Sequence, residues 1–328
     1  MEKYVPPFDV TEEMLSLVAE INDILGKIKD VGSLKRQPRL RRVSRVLSVH
    51  SSLAIENVAL SLNQVTDVID GKRVTGPEDD ITAVKNAFAA YDLTPRMDPY
   101  SLKDLQTAHG VMMKGLVQDA GSFRTGSVGV IGVQGRVIHI APPCDMVPGL
   151  MEQLFAWLRS SRTDMLIRSC VFHYEVEFIH PFSDGNGRMG RLWQTLLLTG
   201  WREVFEWVPV ESIIRDSQED YYRAILLSTS EGKSDRFILY MLDAIRQAVG
   251  ALERDAHAQA VRPSREVEKL LAVLGTYPMS TTELMESLGL KSRANFQRHY
   301  LRPALDAGLI AMTEPEKPTS RSQRYYRR

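Results

Sequence analysis

The sequence predicts a mainly α-helical protein with one β-hairpin near its middle and a small helix-turn-helix domain at its C-terminal end. Apolar residues recur every three or four positions through most of residues 11–260, which is the spacing of an amphipathic helix. Residues 128–140 are instead rich in β-branched side chains and divided by glycines, a composition typical of a hairpin. After Pro263, three short helical patterns follow one another closely.

The helices are predicted from this apolar spacing together with their start signals. A helical region extends from Thr11 to Ala90, and the pair Ser234–Asp235 marks the start of a later helix. The helices predicted individually are Ser44–Glu56, Pro77–Tyr91, Ser101–Leu116, Asp145–Ser160, Asp164–Ile179, Arg188–Thr199, Ser217–Ser228, Ser234–Ala256, Arg265–Leu274, Thr281–Leu288 and Ser292–Ala307.

Two hairpins interrupt the helical pattern. The first covers Val128 to Ile140, with its turn expected near Gln134–Gly135, and prolines at 142 and 143 end it. A second, shorter hairpin is predicted close to the C-terminal end, with Gln323–Tyr326 as one of its strands.

Composition places the chain among ordinary globular proteins. Of its 328 residues, 44% are hydrophobic and 25% are charged, and this length suggests two or three domains. Basic and acidic residues both number 41, so the net charge gives no argument for a nucleic-acid or membrane partner. Cys144 and Cys170 lack the spacing of a metal site. No apolar run approaches the ~18 residues of a membrane span and the start lacks a signal-peptide pattern, so we expect a cytoplasmic protein with no membrane partner.

Residues 180–191, His-Pro-Phe-Ser-Asp-Gly-Asn-Gly-Arg-Met-Gly-Arg, combine features of a phosphate-binding site. Gly185 and Gly187 lie where one helix ends and the next begins, and glycines let the backbone approach a ligand closely. The start of a helix presents free N–H groups and the positive end of its dipole, which attract anions. Arg188 and Arg191 share one face of the new helix. Two guanidinium groups beside a helix start suit a polyphosphate.

Three further side chains of this segment suit nucleotide transfer. Histidine titrates near neutral pH, so His180 can accept a proton from an attacking hydroxyl group. Asp184 offers one carboxylate, enough for a Mg²⁺ ion that takes its other ligands from phosphates and water. Asn186 can donate a hydrogen bond to a phosphate oxygen. Each residue type has an ordinary structural use, and the functional prediction depends on all of them occurring within twelve residues.

This segment resembles the Fic family motif, His-Pro-Phe-x-(Asp/Glu)-Gly-Asn-Gly-Arg-x-x-Arg, and matches it at every specified position. The resemblance implies a Fic-type helical core that acts as a protein adenylyltransferase, moving AMP from ATP to a Ser, Thr or Tyr hydroxyl of a target protein. It implies ATP and Mg²⁺ as cofactors, His180 as the catalytic base, Asp184 as the metal ligand and Phe182 as a core anchor. The residues implied to bind the phosphates of ATP are Gly185, Asn186, Gly187, Arg188 and Arg191.

Some family members move other phosphate-linked groups or phosphorylate. Arg191 is the residue that the resemblance places on the γ-phosphate. Its presence favours a triphosphate bound for attack at the α-phosphate, and hence AMP transfer.

Residues 51–57, Ser-Ser-Leu-Ala-Ile-Glu-Asn, resemble the inhibitory motif of the same family, (Ser/Thr)-x-x-x-Glu-(Gly/Asn). Ser52 and Glu56 are four residues apart and so lie on one face of a helix. The resemblance implies that Glu56 pairs with Arg191 and competes with the γ-phosphate. In some relatives the same glutamate aligns a water for removing AMP, so a de-AMPylating activity stays open. An ordinary helix with an exposed glutamate is the other interpretation.

The first hairpin stands where the family places its flap, which docks the target by strand addition. Gly121-Ser-Phe-Arg124 resembles the Gly-x-x-Arg sequence that precedes this flap. Tyr221-Tyr222 resembles an aromatic pair that follows the motif helix, and one of the two is expected either to line the adenine pocket or to pack in the core. The flap residues expected to dock the target are Val128, Gly129, Val130, Val137 and Ile138.

The C-terminal helices with their hairpin resemble a winged-helix domain. Residues 291–328 carry nine Lys/Arg and three Asp/Glu, a net charge of +6. A basic third helix suits a DNA duplex, with Arg293, Arg298 and Arg302 as candidate contacts. Winged helices also dock proteins or form dimers, so DNA, a protein partner and a homo-oligomer all stay open.

These observations predict three regions. Residues 1–95 form an N-terminal helical region with the inhibitory motif, residues 96–262 the Fic catalytic core, and residues 263–328 the winged-helix domain. The leading function is a self-inhibited adenylyltransferase. The alternative from another class is a DNA-binding regulator whose Fic core only senses nucleotide.

Overall fold

Helices dominate the computed structural model, which describes residues 4–28, 38–131, 137–261, 264–274, 277–318, 320 and 322–327. The predicted mainly α-helical class is confirmed. In these ranges no helix is long and apolar enough to cross a membrane. Short 3-10 turns lie at Thr94–Arg96 and Glu203–Trp207. The helices up to residue 261 are α1 (Glu12–Lys27), α2 (Pro38–Ile55), α3 (Leu62–Ile69), α4 (Glu78–Leu93), α5 (Leu102–Met112), α6 (Val147–Ser160), α7 (Met165–Ile179), α8 (Asn186–Trp201), α9 (Val210–Asp216), α10 (Gln218–Glu231) and α11 (Asp235–Val261).

Polar side chains cap the helix starts that the sequence predicts. The hydroxyl of Ser101 accepts a hydrogen bond from the N–H of Asp104 at the start of α5. The carboxylate of Asp164 accepts one from the N–H of Leu166 at the start of α7. Such caps satisfy N–H groups that the first turn of a helix leaves free. The end of α5 falls at Met112, four residues before the predicted end, so the helix is shorter than its apolar pattern suggests.

The centre of the core is α7, which packs along α8. Of the 15 residues of α7, 13 are buried, so apolar neighbours surround this helix instead of covering one face. Phe172 meets Phe155 edge to face, with ring centroids 5.3 Å apart. The motif residue Phe182 is fully buried and serves as the predicted core anchor. The loop between α7 and α8 carries the motif and is therefore held at both ends by buried helices.

The chain divides into two compact units, residues 1–253 and 254–328, and the three predicted regions stay a prediction. Leu53 of α2 and Leu192 of α8, on either side of the boundary predicted at residue 95, belong to one hydrophobic cluster. Helix α11 extends past residue 253 and ends at Val261, just before the boundary predicted at residue 262. The helix with the inhibitory motif is thus part of the same folded unit as the predicted core.

The predicted hairpin is present as strands β1 (Gly129–Ile131) and β2 (Val137–Ile140). The strands pair antiparallel, with Gly129 opposite Ile140, and the register shifts between Val130 and Ile131. The turn expected near Gln134–Gly135 lies outside the described residues.

The second unit has a hydrophobic core of its own. Its elements are α12 (Arg265–Val273), β3 (Met279–Ser280), α13 (Thr281–Ser287), α14 (Arg293–Phe296), a π turn (Gln297–Leu301), α15 (Arg302–Asp306), β4 (Ile310–Met312) and β5 (Arg324–Arg327). The strands form an antiparallel sheet in the order β3-β5-β4. Leu270, Leu284 and Phe296 are fully buried at the centre of this unit. The described residues therefore contain the three predicted helical segments and the predicted terminal hairpin.

Candidate active site

The motif loop joins two helix ends through two left-handed residues. His180 ends α7 with a φ of 51°, and Gly185 caps the start of α8 with a φ of 82°. A Cβ atom at Gly185 would stand 2.7 Å from the sulfur of Met113, so both conformation and space require glycine there. Because α8 begins at Asn186, its free N–H groups and positive dipole end lie within the motif loop.

The side chain of Asn186 closes this loop. Its Oδ1 accepts a hydrogen bond from the N–H of Phe182 at 2.9 Å, and its Nδ2 donates to the carbonyl of Phe182, also at 2.9 Å. Asn186 is buried, and both polar atoms of its amide are engaged inside the loop. Phosphate binding by this amide stays a prediction. Nδ2 has a second hydrogen besides the one given to Phe182, so the amide can close the loop and still donate to an anion in the pocket that it lines.

A backbone carbonyl orients the imidazole of His180. Its Nδ1 lies 3.3 Å from the carbonyl oxygen of Glu177. A carbonyl can only accept, so Nδ1 is the donor in this contact, and in the neutral imidazole Nε2 then carries the lone pair. The imidazole lines the same pocket as Asp184 and Arg191. The residue predicted as the catalytic base therefore lies in the pocket, and its role as a base stays a prediction.

Arg191 is buried and is held by the inhibitory motif. Its Nη2 donates to Oε1 of Glu56 at 2.6 Å and to the carbonyl of Ser52 at 3.1 Å. Its Nε donates to the hydroxyl of Ser52 at 3.1 Å. Burial is the largest influence and by itself lowers the pKa of Arg191. The charge and hydrogen bond of Glu56, together with Tyr221 and Glu177, outweigh burial and raise this pKa above its ordinary value. The ion pair predicted between Glu56 and Arg191 is thus present in the structure.

Glu56 also lies against the start of α8. A Cβ atom at Gly187 would stand 2.5 Å from Oε1 of Glu56. The carboxylate thus occupies the position at a helix start where an anion is favoured. Glycine at 187 is the residue that leaves room for a negatively charged group there.

Asp184 and Arg188 pair with each other. Oδ2 of Asp184 accepts from Nη2 of Arg188 at 3.1 Å, and Oδ1 accepts from the N–H of Gly185 at 2.6 Å. The Arg188 side chain is 8% exposed and its Nε has no hydrogen-bond partner among the described residues, whereas the Asp184 side chain is 59% exposed. Arg188 does not line the pocket. A buried guanidinium with an unused donor fits a site for an additional anion.

The donor set for a metal ion is small. Among the described residues there is no group of three or more His, Cys, Asp or Glu side chains that could hold an ion. Mg²⁺ commonly uses one or two carboxylates and takes its remaining ligands from phosphates and water. The exposed carboxylate of Asp184 fits that use, in which the metal arrives together with a nucleotide.

A pocket of about 230 Å³ brings the predicted residues together. This volume is smaller than the ligand pockets of about 300–1,000 Å³ that are usual in proteins. Glu56 forms part of the wall, so removal of its side chain enlarges the space. Residues lining the pocket are Glu56, Glu177, His180, Ser183, Asp184, Gly185, Asn186, Gly187, Arg191, Tyr221 and Tyr222.

Sequence reasoning missed Glu177, which lies at the inner end of this pocket. Glu177 is buried and accepts a hydrogen bond from the hydroxyl of Tyr221 at 2.9 Å. Burial raises the pKa of Glu177, but the hydrogen bond and charge of His173, together with nearby cations, outweigh it and lower this pKa. The signal in the sequence that could have identified Glu177 is an acidic residue within the otherwise apolar run of α7. Tyr221 is thereby committed to the core, which leaves Tyr222 as the accessible member of the tyrosine pair.

His109 was also missed, and it fixes the motif loop from α5. Its Nδ1 accepts from the N–H of Gly121 at 2.9 Å, so Nε2 carries the hydrogen and donates to the carbonyl of Asp184 at 3.0 Å. Its ring stacks on Phe182 with centroids 3.7 Å apart. Burial lowers the pKa of His109, which favours this neutral form. No motif in the sequence singles it out.

The hairpin is tied to the site through the residues that flank it. Val128 accepts a backbone hydrogen bond from Ala141 at 3.3 Å, one residue beyond the strand pair. Of the other predicted flap residues, Gly129, Val130 and Val137 each pair with a residue of the opposite strand, whereas Ile138 lies in β2 at the register shift. Their role in docking a target stays a prediction.

Two family models match the chain. The model described as Fic/DOC family matches residues 99–198. The model described as Filamentation induced by cAMP protein Fic-like, C-terminal domain, matches residues 265–327.

The matches to similar proteins cover from 43% to 99% of the chain. The crystal structure of a Fic family protein from Desulfovibrio desulfuricans G20 is 44% identical, with a TM-score of 0.75, and the match covers 99% of this chain and 98% of that one. Protein adenylyltransferase fic-1 from Caenorhabditis elegans is 25% identical over 74% of this chain and 48% of its own length. Probable protein adenylyltransferase aq_aa38 from Aquifex aeolicus (strain VF5) is 30% identical over 43% of each chain. The chain thus spans about half the length of the curated relatives it matches.

Proposed function

Because the chain belongs to the Fic family, we propose that it is a protein adenylyltransferase, which transfers AMP from ATP to a Ser, Thr or Tyr hydroxyl of a target protein. The observation that carries this proposal is one pocket that combines the imidazole of His180, the free N–H groups at the start of α8 and the guanidinium of Arg191. The names of the curated relatives support the same activity.

In the proposed reaction, Nε2 of His180 takes the proton from the target hydroxyl. The hydroxyl oxygen attacks the α-phosphorus of ATP and forms a phosphodiester bond. The bond between the α-phosphorus and the oxygen that bridges to the β-phosphate breaks, and pyrophosphate leaves. The proton stays on His180, and the electron pair of the broken bond leaves with pyrophosphate.

The remaining motif residues bind and orient the phosphates. The N–H groups at the start of α8 suit the negative phosphate oxygens. Arg191 supplies positive charge from the pocket wall, and Arg188, which pairs with Asp184 outside the wall, adds positive charge nearby. Asp184 is the residue that would hold Mg²⁺, which neutralises phosphate charge when bound.

Self-inhibition by Glu56 is part of this proposal. Glu56 pairs with the guanidinium that the γ-phosphate needs, and it lies against the helix start that attracts anions. A carboxylate in that position both occupies space and repels a polyphosphate. The proposed state of the unmodified chain is therefore a low-activity one.

Replacing Glu56 by glycine is the direct test. We expect Glu56→Gly to raise self-labelling with α-labelled ATP and Mg²⁺, since Arg191 and the α8 start become free for phosphate. The neighbouring Asn57→Gly variant is the matched control. Asn57 has a φ of 64° that glycine adopts readily, and it makes no side-chain contact with Arg191 among the described hydrogen bonds. The control should label like the unmodified chain.

Three outcomes decide between the proposals. Labelling in Glu56→Gly that disappears when His180→Ala is added supports the enzyme. Equal labelling of Glu56→Gly and the unmodified chain overturns self-inhibition. If a previously AMP-modified target loses AMP faster with the unmodified chain than with Glu56→Gly, the reverse reaction is the better description.

DNA binding is the second candidate, and the helix after Ser292 favours it. Arg293, Arg298 and Arg302 are all exposed there. Absence of labelling in every variant, together with salt-dependent binding of the full chain to random duplex DNA, would replace the enzyme proposal with a DNA-binding regulator.

A further inference from the structure

The backbone conformation of His180 has to be maintained by other contacts. His180 caps the C-terminal end of α7 and lies in the left-handed region, with a φ of 51° and a ψ of 60°. Residues with a Cβ atom populate this region sparsely, and helices that end this way usually place glycine there. The chain has histidine at this point, so contacts from elsewhere must maintain the conformation that directs its imidazole into the pocket.

Arg124 provides those contacts. Its Nε donates to the carbonyl of His180 at 2.7 Å, and its Nη2 donates to the carbonyl of Ile179 at 3.3 Å. Its backbone N–H donates to the carbonyl of Pro181 at 3.0 Å. Three consecutive carbonyl groups, one on each side of His180 and its own, are therefore bound by a single residue.

The same guanidinium holds both ends of the hairpin. Nη1 of Arg124 donates to the carbonyl of Gly126, which precedes β1, at 2.8 Å. Nη2 donates to the carbonyl of Pro142, which follows β2, at 2.6 Å. One side chain thus connects the catalytic-base position to the two segments from which the hairpin projects.

The electrostatics of Arg124 fit this role. The residue is 3% exposed, and among the described residues no carboxylate lies within ion-pair distance of it. Its acceptors are carbonyl groups, two of which belong to the last residues of α7 and its cap, where the helix dipole is negative. A planar guanidinium can reach several carbonyls at fixed angles, whereas the ammonium of lysine cannot reproduce that fork.

We propose that Arg124 is the positioning residue that sets His180 and the hairpin relative to each other, so that the base meets a hydroxyl group presented on the hairpin. This inference rests on the proposed AMP transfer. It assigns to Arg124 an effect on the rate of transfer and not on the binding of ATP, because the side chain is not part of the pocket wall.

The test uses the full chain with Glu56→Gly as the parent. Arg124→Gln and Arg124→Lys are compared by the maximal self-labelling rate, the ATP concentration that gives half of this rate, and ATP affinity by calorimetry. We expect Arg124→Gln to lower the maximal rate by about 100-fold, because small misplacements of a reacting group have effects of this size. The half-saturating ATP concentration should stay within about threefold, and Arg124→Lys should recover part of the rate.

Arg168 offers a matched control. Its guanidinium also donates to carbonyls at a helix end, to Leu158 at 3.2 Å and Ser161 at 2.8 Å. Arg168 lies twelve residues before His180 on α7, about 18 Å along the helix at 1.5 Å per residue. Arg168→Gln should lose thermal stability while its labelling rate and ATP dependence match the parent.

The outcomes separate the two proposals. The positioning role is overturned if Arg124→Gln labels at the same maximal rate as the parent. It is also overturned if Arg124→Gln and Arg168→Gln lose equal fractions of that rate. If the Glu56→Gly parent does not label at all, the proposed function fails, and backbone hydrogen exchange then tests the positioning role. In that case Arg124→Gln should speed exchange at the amides of His180 and Ala141 while Arg168→Gln does not, and unchanged exchange at both amides overturns it.

Discussion

At the scale of single residues, Arg191 shows how the pocket can be both assembled and blocked. Ser52 binds its Nε and one Nη2 hydrogen, so the guanidinium is oriented independently of Glu56. Removal of the Glu56 carboxylate therefore leaves the arginine in place with an unused donor. A buried cation without its counter-ion attracts an anion strongly, since little water is present to screen it. This is the physical reason to expect a phosphate to replace Glu56.

Glu175 on α7 should make the stability of the fold depend on pH. Burial raises its pKa to about 7 from the ordinary 4.5, and only the hydrogen bond from Tyr4, at 2.6 Å, opposes the shift. The folded chain holds this proton more tightly than the unfolded chain. The stabilisation is therefore complete below about pH 4 and is lost as pH rises to about 7, with a total of up to about 3 kcal/mol. Urea unfolding of the Glu175→Gln variant should lack this decline between pH 5 and pH 8.

The neighbouring Glu177 is the control for this experiment. Its pKa is lowered, so its contribution to stability changes with pH in the opposite direction to that of Glu175. Glu177→Gln should lose stability at pH 5 and pH 8 alike and keep the decline of the unmodified chain. A Glu175→Gln variant that declines as steeply as the unmodified chain would contradict the assignment.

At the scale of secondary-structure elements, α2 is held on the core partly by hydroxyl groups. Ser48 donates to the carboxylate of Glu211 on α9 at 2.7 Å. Glu211 is buried and also accepts from Tyr91 of α4 at 2.8 Å and Thr195 of α8 at 3.0 Å. At the end of α2, the amide of Gln218 donates to the carbonyl of Ile55 at 2.8 Å. Polar contacts of this kind are specific in position, so they set where Glu56 enters the pocket.

On the proposed self-inhibition, we predict that Ser48→Ala weakens the contacts of α2 that place Glu56 at Arg191. A hydrogen bond to a charged group contributes about 1.5–3 kcal/mol, and each 1.4 kcal/mol changes a population about tenfold. Self-labelling of the otherwise unmodified chain should rise by about tenfold.

Ser44→Ala is the matched control, since Ser44 is equally buried one turn earlier on the same helix. Its hydroxyl donates to the neutral carbonyl of Trp207 at 3.3 Å, a longer contact without a charge. It should raise labelling by less than about threefold. Equal responses of the two serine variants would show that the carboxylate of Glu211 has no special part in holding α2.

At the scale of the whole molecule, two separate hydrophobic cores stabilise the chain. Residues 1–253 and 254–328 form distinct units, and each buried cluster draws its residues from one of them. The candidate site lies entirely within the first unit. Since a core substitution acts through the cavity it leaves, its effect should stay within the unit that loses the side chain.

Leu284→Ala should therefore destabilise only the second unit. Leu284 is fully buried, and such a truncation costs about 2–5 kcal/mol. All four tryptophans of the chain, Trp157, Trp193, Trp201 and Trp207, lie in the first unit. The urea transition seen by tryptophan fluorescence should stay unchanged, while part of the transition seen by far-ultraviolet circular dichroism moves to lower urea.

Leu154→Ala, at an equally buried position in the first unit, should instead shift the fluorescence transition. A shift of the fluorescence transition in Leu284→Ala would mean that the two cores unfold as one.

The helical class and the motif loop could be read from sequence because their signals are local. Apolar periodicity within α7 and α8 identifies two buried helices, and the chemistry of His180 to Arg191 lies within twelve consecutive residues. Helix starts were predicted well where a capping side chain such as Ser101 or Asp164 is present. Helix ends were predicted less well, since α5 stops at Met112 although the predicted helix continues to Leu116.

By itself, then, the sequence determined the helical fold, the motif loop and the residue types proposed to perform transfer, and its resemblance implied the pair of Glu56 with Arg191. The tertiary structure shows that contact across 135 positions, and it alone decided that His109 and Arg124 hold the loop from other elements. It also decided that the Asn186 amide closes the loop and that α2 belongs to the same unit as the motif. The physical reason is that burial and hydrogen-bond partners depend on how distant helices pack, which local propensity does not specify.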